Sequence, residues 1–226
     1  MDVQIDTLVT MGLNQAVGAN QFFDRFVVFA TNTAWLKMGP LLALVVYLWS
    51  LEEPAGTRRC QLIAGLVGAF LAMGIARILQ EIIPSVRPLH ELAGFHLPVG
   101  MAADTLEGRN SFPSDTTTLA FAIATIVYLQ NRKLGILSLV WAAIFVSAPR
   151  IYTGLHYLSD VLAGAALASV MVVGTTKLLA RQLPRIFGIL EGREPLVASL
   201  GFLLLFSMGT MFNDLRALGR LVVESL

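Results

Sequence analysis

Charge is what this sequence has least of. Only 14% of its 226 residues are Asp, Glu, Lys or Arg, against 56% that are hydrophobic. About a quarter of an ordinary soluble domain is charged, so a water-soluble fold of this size would have too little polar surface to cover its apolar remainder. A net charge of +1 gives no basic face for nucleic acid. The single cysteine, Cys60, excludes an intrachain disulfide and reads as a small apolar residue. A basic start is also missing. The N-terminus carries Asp2 and Asp6, so no removable leader is expected. No repeat and no low-complexity tract interrupts the chain.

What is present is a series of uncharged runs: 61–75, 116–130, 134–149, 161–176 and 195–213, with a shorter one at 38–51. A membrane-spanning helix needs about 17–25 mostly apolar residues. With their flanks, the runs predict spans at 36–51, 60–80, 114–130, 134–149, 157–180 and 195–213. The expected fold is all-α, a polytopic transmembrane helical bundle of about six spans plus an N-terminal interfacial helix. That helix is expected within 11–31, where Phe22, Phe23, Phe26 and Phe29 mix with Asp24 and Arg25. The chain divides into an N-terminal interfacial segment (1–34), a membrane core (35–181) and a basic loop with an extra C-terminal span (182–226).

Loops rich in Lys and Arg stay cytoplasmic. Arg58 and Arg59, Arg132 and Lys133, and Arg181, Arg185 and Arg193 mark one side in this way. The loop 81–113 and the turn from Arg150 to His156 then fall on the opposite side. A loop of about thirty residues inside a bundle is more often functional than idle.

The polar residues of that side form three clusters. His156 and Asp160 are four apart and share a face if helical, and a carboxylate beside an imidazole fixes its tautomer. Pro149 and Gly154 let the chain turn so that Arg150 returns towards His156. In the stretch S-F-P-S-D-T-T-T, Pro113 and Ser114 begin a helix whose free N–H groups can bind phosphate. Asp115 fits a cap or a partner for arginine better than a phosphate ligand. Arg77 and Gln80 end one span. Arg87, held extended by Pro88, pairs with Arg150 as a second planar donor for phosphate oxygens.

The order R-P, then P-S-x-x at a helix start, then R-x5-H-x3-D resembles the type 2 phosphatidic acid phosphatase superfamily. "SFPSD" followed by "RIYTGLHYLSDVLAG" is most similar to its bacterial undecaprenyl-diphosphatase branch, over about 22–177. The resemblance implies an integral-membrane lipid phosphatase that needs no metal and no other cofactor. Its substrate would be a membrane lipid phosphate, and its site would lie on the extracytoplasmic face of a bacterial inner membrane. It implies that His156 attacks phosphorus to give a phosphohistidine, that Asp160 orients it, and that Arg87, Arg150 and Ser114 hold the phosphoryl oxygens.

Two positions depart from the family pattern. Its first motif begins with Lys where this chain has Gln80. Its second ends in the His that protonates the leaving group, where this chain has Thr116. Asp115 and Pro149 also replace the usual Gly and Ser. Arg77, three residues before Gln80, is an alternative source of charge, and His90 and His96 are alternative acids. A missing acid matters most for an alkoxide leaving group, whose conjugate acid has a pKa near that of water, about 15.7. It matters less for a lipid phosphate, with a second pKa of about 6. The residues therefore point to a lipid diphosphate, which the resemblance implies is a polyprenyl one, with water or a hydroxyl as acceptor. The competing reading is a relative that binds lipid phosphate without turnover.

Overall fold

One residue, Asn131, both ends one helix and starts the next. Its backbone N–H closes the last turn on the Val127 carbonyl at 2.8 Å, and its side chain accepts from the N–H groups of Lys133 and Leu134, both at 3.1 Å. Caps of this kind divide the computed structural model, which describes residues 3–51, 57–179, 182 and 194–210. Every regular element among them is helical. In chain order they are α1 (Val3–Asn14), α2 (Gln21–Asn32), α3 (Ala34–Ser50), α4 (Thr57–Ile82) and the single turn α5 (Pro88–Glu91). After these come α6 (Asp115–Gln130), α7 (Arg132–Tyr152), α8 (Leu158–Leu179) and α9 (Glu194–Gly209).

The helix α6 stands at the centre, packed by α3, α4, α7 and α8. All its residues from Thr116 to Val127 except Phe121 are buried. Its hydroxyls are satisfied locally: Thr118 and Thr125 donate to the carbonyls four residues back, Ser114 and Phe121, at 2.8 and 2.7 Å. The outer helices turn Val46, Ile78, Ile136, Ile144 and Val170 outward, all exposed. Such a continuous apolar exterior fits hydrocarbon rather than water.

The span count differs from the six expected. Three described helices are long and apolar enough to cross a membrane: Arg58–Ile82, Arg132–Tyr152 and Leu158–Leu179. There are four if α2 and α3, bent by 56°, form one broken span. The difference lies in the caps. Ser114 and Asn131 confine α6 to 16 residues, or about 24 Å at 1.5 Å per residue, short of a hydrocarbon core of about 30 Å. The helix α9 also has 16 described residues, and the rest of the 195–213 run lies outside the described part. The basic loop residues Arg181, Arg185 and Arg193 lie outside it as well.

At the N-terminus two helices replace the single interfacial one. Asn20 caps α2 by accepting from Phe22 and Phe23. Phe22, Phe26 and Phe29 face outward, whereas Asp24 is buried and accepts from the Tyr152 hydroxyl at 2.5 Å.

Two irregularities position the site. Pro149 has no N–H, and just before it α7 widens into a π-helical stretch, Ala142–Ser147. Beyond it, Gly154 takes φ +66, and the Arg150 carbonyl accepts from Leu155 and His156 at 2.9 and 3.2 Å. On α8, Gly164 lets the start of α6 approach closely. A Cβ there would lie 2.8 Å from the Ser114 carbonyl oxygen and 2.7 Å from Thr118 Oγ1. Gly164→Val is therefore expected to destabilise the fold by about 1–3 kcal/mol, the usual range for overpacking. Gly174→Ala, where the added methyl meets nothing within 4 Å, is the control and should unfold no more easily than the parent chain. Thermal unfolding in detergent compares the two.

Candidate active site

The loop between α4 and α6 is tightly tied at its two ends. Ser85 and Ser111 exchange a backbone bond at 2.9 Å and a hydroxyl contact at 2.7 Å. Asn110 donates to the Gln80 carbonyl at 2.7 Å and accepts from the Ser85 N–H at 3.1 Å. Leu89 N–H donates to the Gly154 carbonyl at 3.0 Å, which joins the loop to the turn before His156.

These ties aim three consecutive loop carbonyls inward. Arg109 and Asn110 accept from Arg87 at 3.2 and 3.0 Å, and Leu155 accepts from it at 2.6 Å. Ser111 faces Nδ1 of His156 at 2.8 Å. A carbonyl only accepts, so Nδ1 carries the proton and Nε2 keeps its lone pair. Asp160 Oδ2 lies 3.5 Å from the same Nδ1, farther than Ser111. Its shorter bond, 2.8 Å, is accepted from the Tyr157 N–H at the start of α8. Asp160 thus holds the turn and adds negative charge behind the ring, while a main-chain oxygen makes the close contact.

Nε2 faces Nη1 of Arg87 at 3.4 Å. With Nδ1 protonated, Nε2 can only accept, so a fourth Arg87 N–H points at it besides the three given to carbonyls, and one remains for an anion. Burial brings its pKa down to about 10, which leaves it charged at neutral pH. His156 is 1% exposed. Burial lowers its pKa below the ordinary histidine value, and Arg87 and Arg150 push the same way against Asp160. The ring is neutral at pH 7, as a nitrogen nucleophile must be.

Both groups open into a cavity of about 780 Å3. Arg150, Arg77, Gln80 and Thr116 also line it. Nε of Arg150 is buried there without a hydrogen-bond partner. Arg109 and Lys37 add positive charge, opposed by Glu81 and Asp115. The cavity has more cation than anion and is suited to an anionic ligand.

The remaining residues singled out in the sequence are placed as follows. Asp115 pairs with Arg77 at 3.1 Å, the arginine partnership that its residue type suggests. That pairing offsets the charge Arg77 could offer in place of the missing lysine. Gln80 accepts from Arg77 at 2.9 Å and donates one N–H to the Pro113 carbonyl at 2.7 Å, so it braces the start of α6. Thr116 gives both its N–H and its hydroxyl to Asp115 Oδ1, at 2.6 and 3.2 Å. Ser114 is buried as the cap of α6, accepts from Thr117, and does not line the cavity. Neither His90 nor His96 lines it either. Sequence reasoning missed the Ser111 carbonyl, which no residue type announces. It also missed Lys37, which reads as the charged edge of an apolar run.

Known proteins resemble this chain in sequence and fold. The "Undecaprenyl-diphosphatase BcrC" of Bacillus subtilis (strain 168) is 31% identical over 153 residues, 67% of this chain and 72% of that protein. The "Bacitracin transport permease protein BcrC" of Bacillus licheniformis is 36% identical over 126 residues. That match spans 56% of this chain and 58% of the relative, under two thirds of the latter's length. The "Putative undecaprenyl-diphosphatase YbjG" of Escherichia coli (strain K12) is 30% identical over 55% of this chain and 58% of its own. In fold, the chain is similar to the crystal structure of the first transmembrane PAP2 type phosphatidylglycerolphosphate phosphatase from Bacillus subtilis. The TM-score is 0.52 at 19% identity, over 77% of this chain and 84% of that one. Residues 66–184, more than half of the chain, match the PAP2 superfamily, and this helical membrane protein belongs to that family of phosphatases.

Proposed function

We propose that this chain is a membrane phosphatase for polyprenyl diphosphates, working through a phosphohistidine on His156. One observation carries the proposal: His156, whose Nδ1 is held by the Ser111 carbonyl, lines a cation-rich cavity with Nε2 3.4 Å from the Arg87 guanidinium. In the first step Nε2 bonds to the terminal phosphorus and the bridging P–O bond breaks. Its electron pair leaves with the lipid phosphate. In the second step water attacks the phosphohistidine, returns the ring and releases phosphate. Arg87 and Arg150 neutralise the charge spread over the equatorial oxygens, which is most of what phosphoryl transfer asks of a protein. The turnover needs no metal.

The leaving group supports a diphosphate as substrate. Thr116 is no acid, and its hydroxyl already donates to Asp115. A lipid phosphate departs without a proton at neutral pH, whereas an alkoxide does not. The side of the membrane follows from the helix ends. Ile82, Asp115, Tyr152 and Leu158 lie at the site end, while Arg58, Arg59, Arg132, Lys133 and Lys177 lie at the other. Basic ends stay cytoplasmic, so the site faces outward from an inner membrane. The core of 35–181 carries this chemistry, 1–34 packs over its outer end, and 182–226 adds the basic loop and a further span.

Phosphate release from lipid di- and monophosphates, assayed in EDTA, tests the proposal. The parent chain is expected to cleave the diphosphate and His156→Ala to cleave neither. General acid catalysis is worth about 10²–10⁴-fold, so Thr116→His should raise turnover towards that range on monoesters and less on diphosphates. Loss of diphosphate cleavage in Thr116→His would contradict the role given to Thr116. Binding of both lipids with release from neither would make the protein a lipid-phosphate binder instead.

The buried imidazole also makes stability depend on pH. Its folded pKa is lowered, so the unfolded chain takes up the proton first. The stabilising difference is complete above the unfolded value of about 6.5 and is lost as pH falls below it, by up to about 1.4 kcal/mol per pH unit. Melting temperatures in detergent should fall below pH 6.5 in the parent chain and less steeply in His156→Asn. Parallel curves would contradict the buried, neutral assignment.

A further inference from the structure

The broken helix at Thr33 delivers a buried amine to the cavity. Lys37 is 8% exposed and lies one turn into α3. Its Nζ donates to the Thr31 carbonyl, the end of α2, at 2.7 Å. An ammonium has three donors, so two remain. No described carboxylate forms an ion pair with it. Its electrostatic neighbours are Arg150 and Asp115, and Asp115 is already paired with Arg77. A buried amine in an apolar helix is expensive unless something anionic completes it. Lys37, Arg150 and Thr116 all line the cavity, and Lys37 enters it with no described carboxylate at ion-pair distance.

We propose that Lys37 binds the leaving phosphate of a diphosphate substrate and so selects diphosphates over monophosphates. The inference rests on the phosphatase reading and names a specificity residue for it. Placement decides which phosphate is bound. Arg87 lies against His156, where the attacked phosphorus must sit. Lys37 instead reaches the cavity from the α2–α3 bend, bonded to the Thr31 carbonyl, and forms no hydrogen bond or ion pair with His156. When the bridging P–O bond breaks, its electron pair stays on the lipid phosphate, and Lys37 is the cation placed to receive that charge. Gln80 and Thr116 bring none. A monophosphate leaves as an alkoxide, with no phosphate for Lys37 to hold. Lys37 also lies outside residues 66–184, the stretch that matches the family.

The test uses the full chain in detergent with Lys37→Gln, Lys37→Met and Lys37→Arg. Gln keeps a donor for the Thr31 carbonyl, and melting temperature confirms that each variant folds. A hydrogen bond to a charged group is worth about 1.5–3 kcal/mol, so removing the amine should lower kcat/KM for a lipid diphosphate about 10- to 100-fold. The loss on a lipid monophosphate should be smaller, and Lys37→Arg should recover part of the diphosphate rate. Inorganic pyrophosphate should raise the melting temperature of the parent and Lys37→Arg more than that of Lys37→Gln or Lys37→Met, which keep only the arginines. Equal losses on both lipids, or equal pyrophosphate protection in all four proteins, would overturn the proposal. If the parent hydrolyses no lipid, the phosphatase reading fails while the pyrophosphate comparison still decides Lys37.

Discussion

The 2.8 Å bond from His156 Nδ1 to the Ser111 carbonyl decides what the imidazole can do. With that proton engaged, the lone pair is confined to Nε2 and to the side of the ring that faces Arg87. The bond exists because the loop before α6 is held at Ser85, Gln80 and Gly154, so that its last carbonyls cannot swing away. Arg109 and Asn110 orient the guanidinium, and Ser111 orients the ring. One short run of backbone therefore sets the geometry between a nucleophile and the cation beside it. Side-chain charge, chiefly Asp160, modifies that geometry from behind.

The bundle supplies the rigidity this needs. The α6 helix is buried along most of its length, with Thr118 and Thr125 bonded to their own helix and Thr117 accepting from Ser147 of α7. Its first turn is fixed from three directions: the Ser114 cap, the Gln80 bond to Pro113, and the Ser114 N–H donated to the Asp160 carbonyl at 3.1 Å. Gln80 and Asp115, which depart from the family pattern, are part of this bracing. The substitution of lysine by glutamine exchanges a mobile charge for a fixed structural link.

Much of this was legible in the residues. Apolar runs marked the helices, and the spacing of Arg87, Arg150 and His156 picked out side chains that the fold brings to one cavity. The reading of His156 and Asp160 as a helical i,i+4 pair reached a correct proximity by an incomplete route. Only Asp160 lies on α8, and the two meet because Asp160 caps the Tyr157 N–H. The Ser111 carbonyl was illegible, since main-chain acceptors leave no trace in residue type. Lys37 was hidden because the chain bends at Thr33 without a glycine or proline at the break. The expectation gave α6 nearly its observed bounds, 114–130 against 115–130, but did not weigh that a helix closed by Ser114 and Asn131 is shorter than the hydrocarbon is thick.

The central claim is that phosphorus passes through Nε2 of His156. Rapid mixing with a lipid diphosphate labelled on its terminal phosphate, followed by a denaturing alkaline quench, measures it directly. The account predicts label on the protein at early times, stable to base, released by acid, and absent from His156→Asn. Full turnover with no labelled protein at any time, or label that persists in His156→Asn, would contradict it.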